Sequence, residues 1–248
     1  MGTAAIALPL LVLLLFKAAP GYTVKLVAVA CGLGLYELFA MCEKGGVKPF
    51  RTLGYLSAAV LFISVFISVA HPGAIPVPVL PAVMIVVAAA ALQRAKEMPT
   101  SLPAVAVTLF GAAYLGVLGA TIASLRVIAP ASDGAWRVVL LLAIVMSSDT
   151  FAYFAGSAFG RHKLAPLVSP GKTIEGLAGG LVGGVVAALL VRRFGLPGIP
   201  VPDAVALGLV VAAFGVTGDL VESLLKRWSG VKDSGHLFPG HGGMLDRI

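Results

Sequence analysis

The sequence predicts an all-α protein, a polytopic integral membrane bundle of about eight transmembrane helices. Three observations predict this class: hydrophobic residues make up 59% of the 248 residues, charged residues make up 12%, and the mean hydropathy is +1.01. A soluble domain of this size carries about twice that fraction of charged residues. In lipid the backbone must satisfy its own hydrogen bonds, which favours helices.

Apolar runs between Pro and Gly breaks give the helices in order. We expect helices over residues 4–19, 22–42, 52–70, 76–92, 103–125, 136–158, 174–193 and 203–222. The breaks that separate them are Pro20-Gly21, Gly45-Gly46, His71-Pro72-Gly73, Pro99, Pro130, Pro170-Gly171 and the run 195–202. Most runs can cross roughly 30 Å of hydrocarbon, whereas the first and fourth are short. No basic residue precedes the first run, which favours a retained helix over a cleaved signal peptide.

We divide the chain into N-terminal transmembrane helices (1–125) and a C-terminal transmembrane region (126–248) in which we expect the chemistry. Twelve of the eighteen Lys and Arg residues fall in residues 43–51, 93–100, 159–173 and 223–248. The positive-inside rule places these loops and the N-terminus in the cytoplasm. The net charge of +7 fits this bias alone, and it also fits attraction for an anionic lipid or nucleotide. No basic patch is interleaved with exposed aromatics, which argues against nucleic acid.

Four acidic residues lie inside apolar helices or at their ends: Glu37, Asp149, Asp219 and Glu222. A carboxylate in such a helix is costly, so each is a candidate site residue. Glu37 lies near a helix end, and we favour the interpretation that it reaches the membrane interface over a direct role at the site. Asp149 and Tyr153, four residues apart, project from one helix face.

Asp219 begins a polar stripe that continues through Glu222, Ser223 and Lys226. Asp219 and Lys226 are about 10 Å apart along a helix axis, too far for direct pairing. We therefore expect a third partner, and either a metal ion or a phosphate would serve.

The loop 159–173 ends in Gly171-Lys172-Thr173, which invites comparison with a phosphate-binding P-loop. That motif needs a glycine where this chain has Pro166, and we reject it. Thr173 opens a helix whose free N–H groups favour an anion, with Lys172 beside them, although a plain positive-inside loop explains these residues equally well. The glycines at 176, 179, 180, 183 and 184 predict close helix packing.

The last segment, 223–248, is the only long polar stretch in the chain. It combines cations that can hold phosphates with carboxylates that can hold a divalent metal. These residues are Lys226, Arg227, Lys232, Asp233, His236, His241, Asp246 and Arg247.

Two blocks of residues in the C-terminal half resemble the phosphatidate cytidylyltransferase (CDP-diacylglycerol synthase) family. The block near the C-terminus has Ser223, Leu225, Lys226, Arg227, Lys232, Asp233, Gly235, Phe238, Pro239, His241, Gly242, Gly243, Met244, Asp246, Arg247 and Ile248 at the family spacing. The earlier block has Asp149, Tyr153, Gly156, Phe159, Gly160, Arg161, His162, Lys163, Ser169, Pro170, Lys172, Thr173, Glu175 and Gly176. With Gly218-Asp219 and Glu222, the resemblance covers residues 147–248.

The resemblance implies transfer of a cytidylyl group from CTP to phosphatidate in phospholipid biosynthesis, giving CDP-diacylglycerol and pyrophosphate. It implies a multi-pass protein of the cell (inner) membrane with its site loops in the cytoplasm, and it is compatible with a homodimer. It also implies a further Asp after Ile248 and a ninth membrane helix.

The site expected from the resemblance contains Mg²⁺ held by Asp219 and Asp246, with Asp149 and Asp233 as further candidates. Lys172, Lys226, Arg227 and Arg247 are the expected phosphate cations. His241 is expected to donate to a phosphate or to shape the loop, beside Gly242 and Gly243, which allow close backbone approach. The remaining residues expected at the substrate are Ser223, Lys232, Asp149 and Tyr153.

Two other interpretations stay open at this point. One is a CTP-dependent kinase or transferase that acts on another lipid, which the long motif disfavours without defining the acceptor lipid. The other is a transporter, because acids inside membrane helices also mark transport paths. A transporter would leave the polar segment 226–247 unexplained.

Overall fold

The computed structural model describes residues 2–71, 79–92, 98–128, 130–235 and 242–247, and these residues form eight α-helices. The helices are α1 (Gly2–Lys17), α2 (Pro20–Lys44), α3 (Arg51–Ala70), α4 (Val79–Leu92), α5 (Met98–Leu125), α6 (Gly134–Phe159), α7 (Ile174–Gly195) and α8 (Val201–Trp228). Six of them, all except α1 and α4, are long and apolar enough to cross a membrane. The predicted all-α membrane class is confirmed, as is the shortness of the first and fourth helices.

The ends of the helices follow the chemistry of Pro, Gly and Thr. α2 begins with Pro20, where the missing N–H would have had no helical partner. The same helix ends at Gly45, whose N–H donates to the oxygen of Met41 at 3.0 Å, and Gly46 follows with a φ of 88°. α7 begins after Thr173, whose hydroxyl accepts the Gly176 N–H at 3.0 Å.

α8 is longer than the sequence analysis predicts. The helix continues to Trp228 instead of ending near residue 222, so the motif residues Lys226 and Arg227 lie on its last turn. Nothing between Ser223 and Trp228 breaks a helix, and the first residue that does is Gly230, which has a φ of 70°.

A β-hairpin replaces part of the predicted loop 159–173. Its strands are β1 (Lys163–Ala165) and β2 (Ser169–Thr173), paired antiparallel with Lys163 opposite Thr173 and Ala165 opposite Ser169. Strands of three and five residues are too short to show the alternation by which a strand is recognised in a sequence.

The chain folds as two compact units. The first contains residues 1–129 and 225–248, and the second contains residues 130–224. The predicted division at 125/126 lies close to the start of the second unit, but it assigns residues 225–248 differently. In the structure these residues belong with the N-terminal helices, so the first unit joins the two ends of the chain.

The core of the first unit is built around the second half of α2. Leu35, Leu38, Phe39, Met41, Cys42 and Leu115 are buried there together with Leu245 from the C-terminal segment. α3 and α5 approach this helix closely because they present glycines: a Cβ at Gly54 or Gly111 would overlap the ring of Phe39. Burial of apolar side chains therefore attaches the C-terminal segment to α2.

The second unit depends on close contact between α6 and α7. A Cβ at Gly180 would lie 3.0 Å from Ser148 Oγ, and one at Gly183 would lie 2.7 Å from the Phe151 side chain. Gly184 faces α8 in the same way, 2.8 Å from Ala212 Cβ. The predicted packing role of this glycine face is confirmed.

Candidate active site

Within the second unit, three predicted site residues come together around one ion pair. Lys172, near the end of β2, forms a salt bridge through Nζ with Asp219 Oδ2 on α8. Asp149 on α6 lies within electrostatic range of both charges. Two carboxyl groups thus lie near a single ammonium, an arrangement that can accept a further cation.

The local fold fixes the position of Lys172. Lys172 directly precedes Thr173, the N-cap of α7, and Thr173 is buried against Gly156 and Gly160 of the α6 end. A Cβ at Gly160 would lie 2.8 Å from Thr173 Cγ2, so the small residues let the hairpin approach α6 closely. The ammonium is therefore presented by a structured turn.

The other end of the hairpin is held by Glu175, to which the sequence analysis assigned no specific role. Glu175 accepts the N–H of Arg161 at 3.1 Å and that of His162 at 3.2 Å, and its Oε1 lies 2.7 Å from His162 Nδ1. Arg161, His162 and Glu175 also line an open cavity of about 480 Å³ together with Phe159. The signal in the sequence was an acid in the first turn of a helix, where a carboxylate is favoured by the free N–H groups.

In the first unit, the C-terminal motif is organised by Asp246. Its Oδ1 accepts a charged hydrogen bond from Lys226 Nζ at 2.9 Å, and only 17% of the Lys226 side chain and 13% of the Asp246 side chain are exposed. Its Oδ2 accepts the N–H of Ser234 at 3.1 Å and that of Gly243 at 2.8 Å. The Ser234 hydroxyl also lies 2.9 Å from Oδ2, so three donors converge on that oxygen while Oδ1 faces Lys226.

The prediction that Glu37 reaches the membrane interface is wrong. Glu37 is only 7% exposed, and it accepts the N–H of Met244 at 2.9 Å and the N–H of Leu245 at 2.8 Å. The Ser234 hydroxyl lies 2.8 Å from Glu37 Oε2 and 2.9 Å from Asp246 Oδ2, so it links the two carboxylates. The cost of a carboxylate in an apolar helix was visible in the sequence, but its partners, about two hundred residues away, were not.

The other predicted site residues occupy varied positions. Ser223 is half-buried on α8, whereas Lys232, Arg227 and Arg247 are exposed. Tyr153 is 71% exposed on α6 and packs edge-to-face against Phe154 at 5.6 Å between ring centres.

The last predicted site residues are those of the glycine turn and the two predicted metal ligands. Gly242 has a φ of 79°, a conformation that glycine adopts readily, and His241 lies outside the described residues. Asp219 belongs to the second unit and Asp246 to the first, and their pairing stays a prediction.

These features define an integral membrane protein that has clusters of acidic and basic side chains beside its helix ends. A sequence profile described as the cytidylyltransferase family matches residues 1–248. The chain belongs to the cytidylyltransferase family, which confirms the resemblance carried by the two motif blocks.

Several relatives match part of the chain. The phosphatidate cytidylyltransferase of Haemophilus influenzae is 44% identical over 119 residues, which are 46% of this chain and 41% of the relative. The protein of that name from Bacillus subtilis is 47% identical over 105 residues, 42% of this chain and 39% of the relative. The uncharacterized protein YnbB of Escherichia coli is 47% identical over 115 residues, 46% of this chain and 38% of that protein. The matched stretch spans less than half the length of each relative.

Proposed function

We propose that this protein transfers a cytidylyl group from CTP to phosphatidate within the membrane, giving CDP-diacylglycerol and pyrophosphate. The observation that carries the proposal is the family match over the whole chain, supported by relatives at 44–47% identity that bear the name phosphatidate cytidylyltransferase. The membrane-spanning helices suit an acceptor that is itself a lipid.

The reaction asks the protein for positioning and charge neutralisation. A phosphate oxygen of phosphatidate attacks the α-phosphorus of CTP, the bond from that phosphorus to the bridging oxygen of the β-phosphate breaks, and pyrophosphate leaves with the electron pair. The attacking oxygen is already ionised at neutral pH, so no protein nucleophile is required. Both substrates are polyanions, and catalysis of this type depends mainly on orientation and electrostatic stabilisation.

Several cations of this chain suit that task. Lys226 and Arg227 extend from the last turn of α8, and Lys172 is presented by the turn that begins α7. We assign phosphate contacts to these three residues and to Arg247. Lys226 and Lys172 are each paired with a carboxylate, so each is held in place and can exchange its partner for a phosphate oxygen.

We further propose Mg²⁺ as the cofactor, held first by Asp219. The carboxylate of Asp219 is half exposed, and Asp149 lies within electrostatic range of it and of Lys172. Asp246 is the second ligand that we propose, through Oδ1, which would exchange Lys226 for the metal. Mg²⁺ commonly binds through one or two carboxylates together with water and substrate phosphates, so it needs no larger cluster of protein ligands. When bound, Mg²⁺ would neutralise the triphosphate and ease pyrophosphate departure.

We propose that the site faces the cytoplasm of a cell (inner) membrane, where CTP is found. The support is the excess of Lys and Arg in four of the loops. Single cysteines placed at Lys172 and Lys232, in a background without Cys31 and Cys42, should both be labelled from the cytoplasmic side. Labelling of the two positions from opposite sides would contradict a shared site. We expect no nucleic-acid partner, and a homodimer remains an expectation.

The test of the reaction uses the full chain in detergent with CTP and a panel of lipid phosphates. We expect Mg²⁺-dependent pyrophosphate release that requires phosphatidate, together with a labelled CDP-lipid. Labelled CDP with a phosphorylated lipid would indicate a kinase instead, and preference for another lipid phosphate would change the acceptor. Absence of any CTP turnover with every lipid would refute the proposal and leave the transporter.

A further inference from the structure

The C-terminal motif segment is held against α2 by a buried carboxylate as well as by apolar contacts. Three consecutive backbone N–H groups donate to carboxylates: that of Gly243 to Asp246, and those of Met244 and Leu245 to Glu37. The Ser234 hydroxyl lies between the same two carboxylates. The orientation of this turn therefore depends on both acids together.

Close packing around Glu37 indicates that this arrangement is specific. A Cβ at Gly235 would lie 2.5 Å from Glu37 Oε1, and a Cβ at Gly243 would overlap Glu37 Oε2 and Ser234 Oγ. The two motif glycines thus allow the segment to approach this one side chain. If Glu37 only reached the membrane interface, a Cβ at Gly235 or Gly243 would not meet its carboxylate.

We propose that Glu37 is a positioning residue for the transfer reaction, an inference that rests on the proposed function. Glu37 holds the backbone of 243–245, this backbone orients the Asp246 carboxylate, and Asp246 in turn holds Lys226 at 2.9 Å. The N-terminal half of the chain, which shows no motif of its own, thereby contributes to the site. Partners of this kind, one step behind the ligands, typically change metal affinity or activity by about 10–100-fold when replaced.

Glu37→Gln separates positioning from folding. The amide keeps the volume of the side chain, but it has only one oxygen that can accept a hydrogen bond. The Met244 and Leu245 N–H groups each use a different oxygen of Glu37, so at least one of them loses its acceptor. Leu245 stays anchored in the apolar cluster with Leu35 and Leu38, which should keep the segment attached. The matched control is Glu43→Gln, which removes the same charge from the same helix at an exposed site that bonds to Arg51.

The first measurement is hydrogen exchange of the peptide that contains residues 242–247, which needs no activity. We expect the amides of Met244 and Leu245 to exchange at least tenfold faster in Glu37→Gln than in the wild type, with no change in Glu43→Gln. Equal protection in the two variants would overturn the inference. If Glu37→Gln fails to insert, Glu37→Asp carries the same test, because it keeps the charge but draws the carboxylate back from the Met244 and Leu245 N–H groups.

The second measurement is the Mg²⁺ dependence of turnover. Misorientation of Asp246 should raise the Mg²⁺ concentration for half-maximal rate about tenfold in Glu37→Gln, whereas a loss of folded protein alone would lower the rate equally at every concentration. An unchanged Mg²⁺ requirement despite faster exchange would overturn the positioning role. A wild-type protein that makes no CDP-lipid would refute the proposed reaction alone, and the exchange comparison would still decide whether Glu37 orients the turn.

Discussion

Asp219→Asn distinguishes a metal ligand from a structural ion pair, because the structure assigns this residue an ionic partner. Asp219 pairs with Lys172, and the paired side chains are 50% and 24% exposed. If the pair is the main role of Asp219, the substitution should act on stability. If Asp219 holds Mg²⁺ for the reaction, it should act on turnover and leave stability nearly unchanged.

Because the Lys172–Asp219 pair is partly exposed, the expected loss of stability is much smaller than the expected loss of turnover. A salt bridge with a half-exposed carboxylate contributes about 0.2–1 kcal/mol after solvent screening, so unfolding should shift little in Asp219→Asn. Loss of a catalytic metal contact costs several kcal/mol of transition-state stabilisation. At about 1.4 kcal/mol per tenfold change, a loss of about 3 kcal/mol lowers the rate a hundredfold or more.

The assay combines thermal unfolding in detergent, with and without Mg²⁺, and CDP-lipid formation. Asp203→Asn is the matched control, since it removes the same charge from an exposed position in the first turn of α8. We expect Mg²⁺ to stabilise the wild type and Asp203→Asn but not Asp219→Asn. In Lys172→Met the competing ammonium is gone, so half-maximal stabilisation should need up to about fivefold less Mg²⁺, the equivalent of about 1 kcal/mol.

One pattern would refute the metal assignment. Asp219→Asn would then lower the unfolding temperature more than Asp203→Asn does, Mg²⁺ would not stabilise the wild type, and the remaining activity would follow the amount of folded protein. Asp219 would in that case be the anionic half of a pair that attaches the β-hairpin to α8.

Three further outcomes follow from the same structure. Arg227→Ala should weaken use of CTP about ten- to a hundredfold, which corresponds to the loss of a charge-assisted hydrogen bond of about 1.5–3 kcal/mol. Arg193→Ala is the control, and an equal loss there would mean that these charges act through membrane topology and not through contact with CTP. Leu245→Ala should cost about 2–5 kcal/mol in unfolding experiments because the side chain is 4% exposed, whereas Leu224→Ala, at a 53% exposed position, should cost far less. Gly243→Ala should destabilise by about 1–3 kcal/mol, since its Cβ would overlap Glu37, and an unchanged unfolding temperature would show that this turn is not closely packed.

The helices and the family could be predicted because their signals are local. Apolar runs long enough for a bilayer, bounded by Pro and Gly, gave all eight helices of the described residues. The motif spacing gave the cytidylyltransferase family, which the match over residues 1–248 confirms. The end of α8 was missed because the polar composition after residue 222 suggested a loop, although no residue there opposes a helix.

The partners of individual side chains could not be predicted, since they depend on contacts between distant segments. Lys172 and Asp219 each looked like ligands for a phosphate or metal, and only folding pairs them with each other. The hairpin that presents Lys172 was missed because its strands are too short to alternate visibly.

The sequence by itself determined that this chain folds in a membrane as helices and belongs to a cytidylyltransferase family, because hydropathy and motif spacing are properties of neighbouring residues. Only the tertiary structure decided that residues 225–248 pack with the N-terminal helices and that Glu37 is buried beneath their turn. The physical reason is that a buried carboxylate is tolerated where enough donors converge on it. Here those donors come from the opposite end of the chain, and no sequence pattern near residue 37 predicts them.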